Sequence, residues 1–143
     1  MWPKNFLMVK PDFFDVTYAI NPHMLSSAGQ LQVIDKTKAN EQWQKLSAAL
    51  TDFGLSRHHL AAVPNLPDMV FSANQMFPFY KNQSVQFVLS RMKSSYRQEE
   101  VFYFENWLQE NKYEYFKTPE PWTFEGMGDA IWNYETREVF GGY

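Results

Sequence analysis

Apolar and polar positions divide the chain into blocks. Phe6-Leu7-Met8-Val9 is a short apolar run closed by Lys10-Pro11-Asp12, which predicts a strand and then a turn. Asp15 to Met24 is aromatic but broken by Asn21-Pro22, and Leu25 to Gln30 is small and polar, so both predict loop. Asp35 offers a helix N-cap. Ala39, Trp43, Leu46, Leu50 and Phe53 then recur at steps of 4, 3, 4 and 3, one face of a helix running to about Phe53, with Gly54 as its stop. His59 to Val63 predicts a strand, followed by Pro64-Asn65-Leu66-Pro67-Asp68.

The same order returns further along. Val85 to Leu89 reads as a strand. Ser95 with Gln98 matches a capping box, and a helix to about Asn111 carries Val101, Phe104 and Leu108 on one face. Tyr113 to Lys117 predicts a strand, followed by Pro119-Glu120-Pro121. The two copies are offset by about 60 residues and share a pattern rather than a sequence. They predict an α/β unit that needs further copies to close a core. Val139 and Phe140 read as a last strand with no polar tail behind it, an ending that suggests a truncated or cut chain.

Composition narrows the function classes. The chain has 143 residues, 45% hydrophobic and 20% charged, a globular composition of one domain's length. A net charge of -3 argues against a nucleic-acid partner. No apolar run reaches the ~20 residues of a membrane span. Met1-Trp2-Pro3-Lys4-Asn5 lacks the apolar stretch of a signal peptide. No membrane partner is expected, and the localisation expected is cytoplasmic. There is no cysteine, which excludes disulfides, thiolate metal sites and a cysteine nucleophile within these residues. His23, His58 and His59 show no metal-binding spacing, so neither a metal nor a cofactor is expected. Aromatic residues make up 18%, which calls for an aromatic core or a surface that expects a partner.

Three stretches carry candidate chemistry. Leu66-Pro67-Asp68-Met69-Val70-Phe71-Ser72-Ala73-Asn74 places a carboxylate after a proline, then an aromatic, then an amide. Phe124-Glu125-Gly126-Met127-Gly128-Asp129-Ala130 separates two carboxylates with glycines that allow close backbone approach or positive φ. Arg91 follows the strand Val85 to Leu89. Asp68, Asn74, Glu125 and Asp129 offer acceptors for a planar guanidinium, and Arg91 offers a partner for a carboxylate. Each has a bland counterpart: a Pro-Asp turn, a glycine bend, a surface arginine. Arg97 to Glu100 reads as a solvated helix face. Composition and spacing alone reach only an α/β domain.

The stretches taken together are more specific. Phe6-Leu7-Met8-Val9-Lys10-Pro11, Phe14-Asp15-Val16 and Tyr18-Ala19-Ile20-Asn21-Pro22-His23-Met24 resemble the N-terminal signature of the amidinotransferase and dimethylarginine dimethylaminohydrolase superfamily, which includes arginine dihydrolases. Leu66 to Asn74 resembles its Pro-Asp substrate loop, Phe124 to Ala130 its Glu-Gly-Gly-Asp loop, and Phe140-Gly141-Gly142-Tyr143 the Gly-Tyr-Gly stretch after it. The resemblance covers essentially all 143 residues, with the motifs in order.

The resemblance implies an α/β fold, a partial pentein (α/β propeller) with about two of its five ββαβ-type units. Residues 1–143 would then be the N-terminal part of a single domain whose catalytic His and Cys lie in an absent C-terminal part. Members act on the guanidino group of arginine or related compounds, through a cysteine that attacks the guanidinium carbon and a histidine that moves protons. Glu125 matches the acid that orients that histidine. Asp68 and Asn74 match substrate-binding positions, Phe71 an aromatic that flanks the substrate, and Arg91 the arginine that meets its carboxylate. Asp129 is either a ligand contact or a loop brace. Met127 lengthens the acidic loop by one residue. Asn74 stands where many members have aspartate, similar to arginine dihydrolases and succinylarginine dihydrolase. The partners implied are a small guanidino substrate and either the missing C-terminal half or a second copy. The alternative is a non-catalytic pentein-derived binding or interaction module.

Overall fold

The computed structural model describes residues 4–142, which fall into two compact units, 4–70 and 71–142. In the first, β1 (Asn5–Val9) and β2 (Ser56–Leu60) pair in parallel from Asn5 opposite Ser56 to Val9 opposite Leu60. A parallel pair needs a crossover, and helix α1 (Lys36–Asp52) supplies it. Its ends are where the sequence sets them. Asp35 accepts a hydrogen bond from the Lys38 backbone N–H at 2.9 Å, and Gly54 stops the chain at φ +82°. Two expectations are corrected. The strand is Ser56–Leu60, not His59–Val63, because its register is fixed by β1 and by the Ser56 N–H bonded to the Lys4 carbonyl at 2.7 Å. Of the expected face of α1, Ala39, Trp43 and Leu50 are half-buried around a fully buried Ser47, while Leu46 and Phe53 are 54% and 85% exposed. The reason is polar: Arg57 donates to the Ser47 hydroxyl at 2.6 Å, and Trp43 meets His59 edge-on at 5.4 Å.

The second unit opens with a hairpin. β3 (Met76–Lys81) and β4 (Ser84–Leu89) pair antiparallel across Asn82 and Gln83, both at positive φ, as a two-residue hairpin turn requires. Helix α2 (Glu100–Glu110) then returns the chain to β5 (Glu114–Lys117), parallel to β4, giving the sheet order β3-β4-β5. A second hairpin, β6 (Ala130–Asn133) with β7 (Glu138–Gly141), contains the expected Val139-Phe140 strand. Phe104 and Leu108 of α2 are fully buried with Met76, Phe77, Phe87, Leu89, Met92 and Trp107.

β3 is legible only in retrospect, since Pro78 argues against a strand. It is tolerated because β3 is the sheet edge, where the missing N–H leaves no ladder bond unmade. The expected capping box does not form. Ser95–Arg97 is a 3-10 turn, α2 starts at Glu100, and Gln98 donates to the Met92 carbonyl at 3.1 Å instead. The repeated pattern is therefore one complete β-β-α-β unit, with a β-α-β before it in sequence and a hairpin after it. No helix among the described residues is long and apolar enough to cross a membrane.

Candidate functional site

Asn74 and the acidic loop, far apart in sequence, meet in the second unit. Gly126 sits at φ +60°, and a Cβ there would lie 2.8 Å from the carbonyl oxygens of Ala73, Asn74 and Met76. Only glycine allows this approach, so Gly126 serves contact with protein backbone, while a Cβ on Gly128 would lie 2.6 Å from the Asn74 amide nitrogen. The Met127 N–H donates to Ala73 O at 2.8 Å, and the Asn74 amide nitrogen donates to Glu125 O at 3.4 Å. Asp129 closes the loop on itself by accepting from the Glu125 N–H at 2.7 Å. The Asp129 carbonyl in turn accepts from Gly142 N–H at 3.0 Å, while Tyr143 lies outside the described residues. One Asp129 carboxylate oxygen is thus engaged inside the loop.

The segment after β4 carries the other side of this loop. Arg91 and Phe124 exchange backbone hydrogen bonds of 2.9 and 3.1 Å, and the Glu125 carboxylate accepts from the Lys93 N–H at 3.1 Å. The Arg91 guanidinium meets Glu120 at 3.1 Å, with the two side chains 38% and 83% exposed. Such a rim pair is weak and readily exchanged. Arg91 and Glu120 also line a cleft of about 560 Å³ with Met92, Phe102, Glu105 and Lys117.

Arg97 to Glu100 is corrected outright. Arg97 is 6% and Glu100 0% exposed, so this is no solvated face. The two form a buried ion pair at 3.0 Å, and Gln75 donates to the same carboxylate at 2.6 Å. Arg97 also donates to the Asn74 side-chain oxygen at 3.3 Å and lies 6.0 Å above the centre of the Phe71 ring. The unit thus gathers Phe71, Asn74, Glu125 and Asp129, with Arg91 on the flank. Arg97 and Glu100 are the residues the sequence reading missed. The only signal was their opposite charge at i, i+3.

Asp68 belongs to the first unit. It sits in the 3-10 turn Pro67–Val70, is 3% exposed, and accepts a 2.5 Å hydrogen bond from the Tyr18 hydroxyl. A buried carboxylate held by a phenol 50 residues away is more than a surface turn. Among the described residues no group of three His, Cys, Asp or Glu is placed to hold a metal.

No family model matches the chain. A bifunctional arginine dihydrolase/ornithine cyclodeaminase from Synechocystis, ArgZ, is 36% identical over 97% of this chain and 19% of its own length. The N(G),N(G)-dimethylarginine dimethylaminohydrolase of Mycobacterium tuberculosis is 30% identical over 98% of this chain and 42% of its own. The crystal structure of the N-terminal domain of ArgZ, bound to product, superposes with a TM-score of 0.87 at 34% identity, covering 99% of this chain and 49% of that one. The chain spans less than half the length of these relatives.

Proposed function

The chain is a homologue of the N-terminal part of the guanidino-modifying enzymes of the pentein superfamily, and from that premise we propose that it supplies the substrate-holding part of a hydrolase acting on the guanidino group of arginine or a related compound. The observation that carries this reading is the docking of the Glu125–Asp129 loop on Asn74. It brings the Glu125 and Asp129 carboxylates and the Asn74 amide into one loop cluster, an acceptor set suited to a planar cation whose N–H groups all point outward in one plane. In this reading Asn74 holds the guanidinium and Phe71 flanks it, while Asp68 is proposed separately as a substrate-binding carboxylate of the first unit. Arg91 exchanges Glu120 for the substrate carboxylate, Asp129 braces the loop, and Glu125 orients a histidine. The chain has no cysteine, so the attacking thiolate and that histidine come from sequence outside these residues.

The finer reading is a dihydrolase. Arginine plus two waters gives ornithine, two ammonia and carbon dioxide, through a neutral ureido intermediate. An aspartate at 74 would favour the cationic substrate over that intermediate. The neutral amide of Asn74 holds the two more evenly, and the arginine dihydrolase activity of the ArgZ relative supports the same reading. The second reading is a binding module that holds such a compound without turnover.

Product analysis separates them. The complete protein incubated with arginine is expected to release ornithine and ammonia. Citrulline alone removes the dihydrolase step but keeps the hydrolase. Binding of arginine without any product from it or from dimethylarginine leaves only the binding module. Within the active protein, Glu125→Gln is expected to lower kcat by about 10²–10⁴-fold, the usual scale of general acid–base catalysis, with little change in KM. Near-normal turnover would remove Glu125 from this role.

A further inference from the structure

The cleft of about 560 Å³ in the second unit lies at the carboxyl ends of β4 and β5, against the first half of α2. The crevice outside the carboxyl ends of parallel strands is where open α/β sheets bind small molecules. We propose that this cleft binds a free α-amino acid with an apolar side chain, its carboxylate on Arg91 and its ammonium on Glu105. The binding claim stands apart from the hydrolase reading, and its effect on turnover rests on that reading.

The backbone around the cleft is already satisfied. The Thr118 hydroxyl and N–H both donate to the Leu89 carbonyl, at 2.7 and 3.1 Å, and the Gln98 amide donates to the Met92 carbonyl at 3.1 Å. The apolar part of the lining is uneven. Leu89 and Met92 are buried, but Phe102 of α2 is 57% exposed. Covering that ring removes apolar surface from water, which favours a ligand with an apolar side chain.

Two charged groups of the lining have capacity to spare. Glu105 is held by Lys117 at 2.7 Å and by the Tyr115 hydroxyl at 2.8 Å, both on Oε1, and no hydrogen bond among the described residues falls on Oε2. Its side chain is 16% exposed, and its carboxyl lies below the ordinary value, so it is charged at neutral pH. Arg91 gives Nη2 to the exposed Glu120, and among the described residues its Nε and Nη1 have no partner. With Lys117 and Glu120 the cleft carries two cations and two anions. A diamine leaves Arg91 unmatched, and a dicarboxylate meets Glu105. A zwitterion answers both through charge-assisted hydrogen bonds. An amino acid seated there holds the guanidinium that otherwise turns to the substrate carboxylate. Occupancy therefore weakens arginine binding, and arginine weakens occupancy by the same factor.

Calorimetric titration of the complete protein with L-leucine tests this. Leucine is expected to bind, and isoamylamine and isocaproate, which each lack one of its charges, to bind about 10-fold more weakly or worse. Glu105→Gln is expected to weaken leucine about 10–100-fold but isocaproate less than about threefold, since that acid has no ammonium to place. Phe102→Ala, at an exposed side chain, is expected to weaken leucine about threefold or more. Leucine is also expected to raise KM for arginine and to leave kcat unchanged. No leucine binding, equal binding of the amine or the acid, or wild-type leucine affinity in Glu105→Gln would overturn the proposal. If the titrations meet these expectations and KM for arginine does not move, the cleft site stands and the part of Arg91 in substrate binding fails. If the protein turns over no guanidino compound, the hydrolase reading fails and the titrations alone decide the site.

Discussion

The chain contains two β-α-β crossovers of the same plan, β1-α1-β2 and β4-α2-β5, held by different forces. α1 is the longer helix at 17 residues, yet of its side chains only Ser47 is fully buried. It is held by its Asp35 cap, the Ser47–Arg57 hydrogen bond and the edge contact of Trp43. α2 has 11 residues and buries Glu100, Phe104, Trp107 and Leu108. Most helical stability in proteins comes from tertiary packing, so length predicts little here and burial predicts much. The gathered candidate site belongs to the crossover with the packed helix, where Glu100 at the start of α2 holds Arg97.

The largest expected contrast follows directly. Phe104→Ala removes a fully buried ring from α2 and is expected to cost about 3–5 kcal/mol. Leu46→Ala on α1 removes a side chain that is 54% exposed and gains helix propensity, so a change within about 0.5 kcal/mol is expected. Urea denaturation of both variants checks this, and comparable losses would erase the distinction between the two crossovers.

The next contrast concerns two glycines with the same backbone sign. Gly54 at φ +82° has nothing within 4 Å of a built Cβ, so Gly54→Ala is expected to cost about 1 kcal/mol, for the left-handed conformation alone. Gly126 at φ +60° adds three carbonyl oxygens at 2.8 Å, so Gly126→Ala is expected to cost about 2–3 kcal/mol and to undock the acidic loop. Equal losses at the two sites would mean that the loop gives way and that the docking on Asn74 is soft.

These elements also show what a sequence can reveal. The ends of α1 were legible because a cap and a stop act within a few residues. The need for glycine between Glu125 and Asp129 was legible too, although not that backbone at 73–76 was the thing approached. The inward face of α1 was legible at Ala39, Trp43 and Leu50 but not at Ser47, because Arg57, ten residues away, makes a serine the fully buried position. Arg97 and Glu100 were misread for a stronger version of the same reason. A charge is buried only when distant groups satisfy it, here Gln75 and Asn74. The local pattern around Arg97 is that of an ordinary wet helix start. Of the site, the residue types were readable and their supports were not.

The smallest expected effect distinguishes the two crossovers by their surface charges. Lys117 of β5 meets Glu105 of α2 at 2.7 Å, and the Tyr115 hydroxyl donates to the same carboxylate oxygen at 2.8 Å. Burial pushes the Glu105 carboxyl up, but the hydrogen bonds from Lys117 and Tyr115 and the lysine charge outweigh it, leaving it below its ordinary 4.5. A carboxyl lowered by folding contributes stability above its unfolded pKa and loses it as pH falls through 4.5 toward the folded value. Lys117, raised chiefly by the hydrogen bond to Glu105, keeps its share until pH climbs past 10.5. The lysine is 67% exposed, so the pair is expected to contribute less than about 1 kcal/mol. Asp15 and Lys36 form the corresponding pair beside α1 at 2.8 Å, with both side chains more than 40% exposed. The hydrogen bond from Lys36 chiefly holds the Asp15 carboxyl low, and the same sign applies. Glu105→Gln is expected to lower the urea midpoint at pH 7 measurably and at pH 3 hardly at all. Asp15→Asn is expected to move it less at either pH, because solvent screens that pair from both sides. A larger effect from Asp15, or an equal loss from Glu105→Gln at pH 3, would show that the second hydrogen bond from Tyr115 adds nothing.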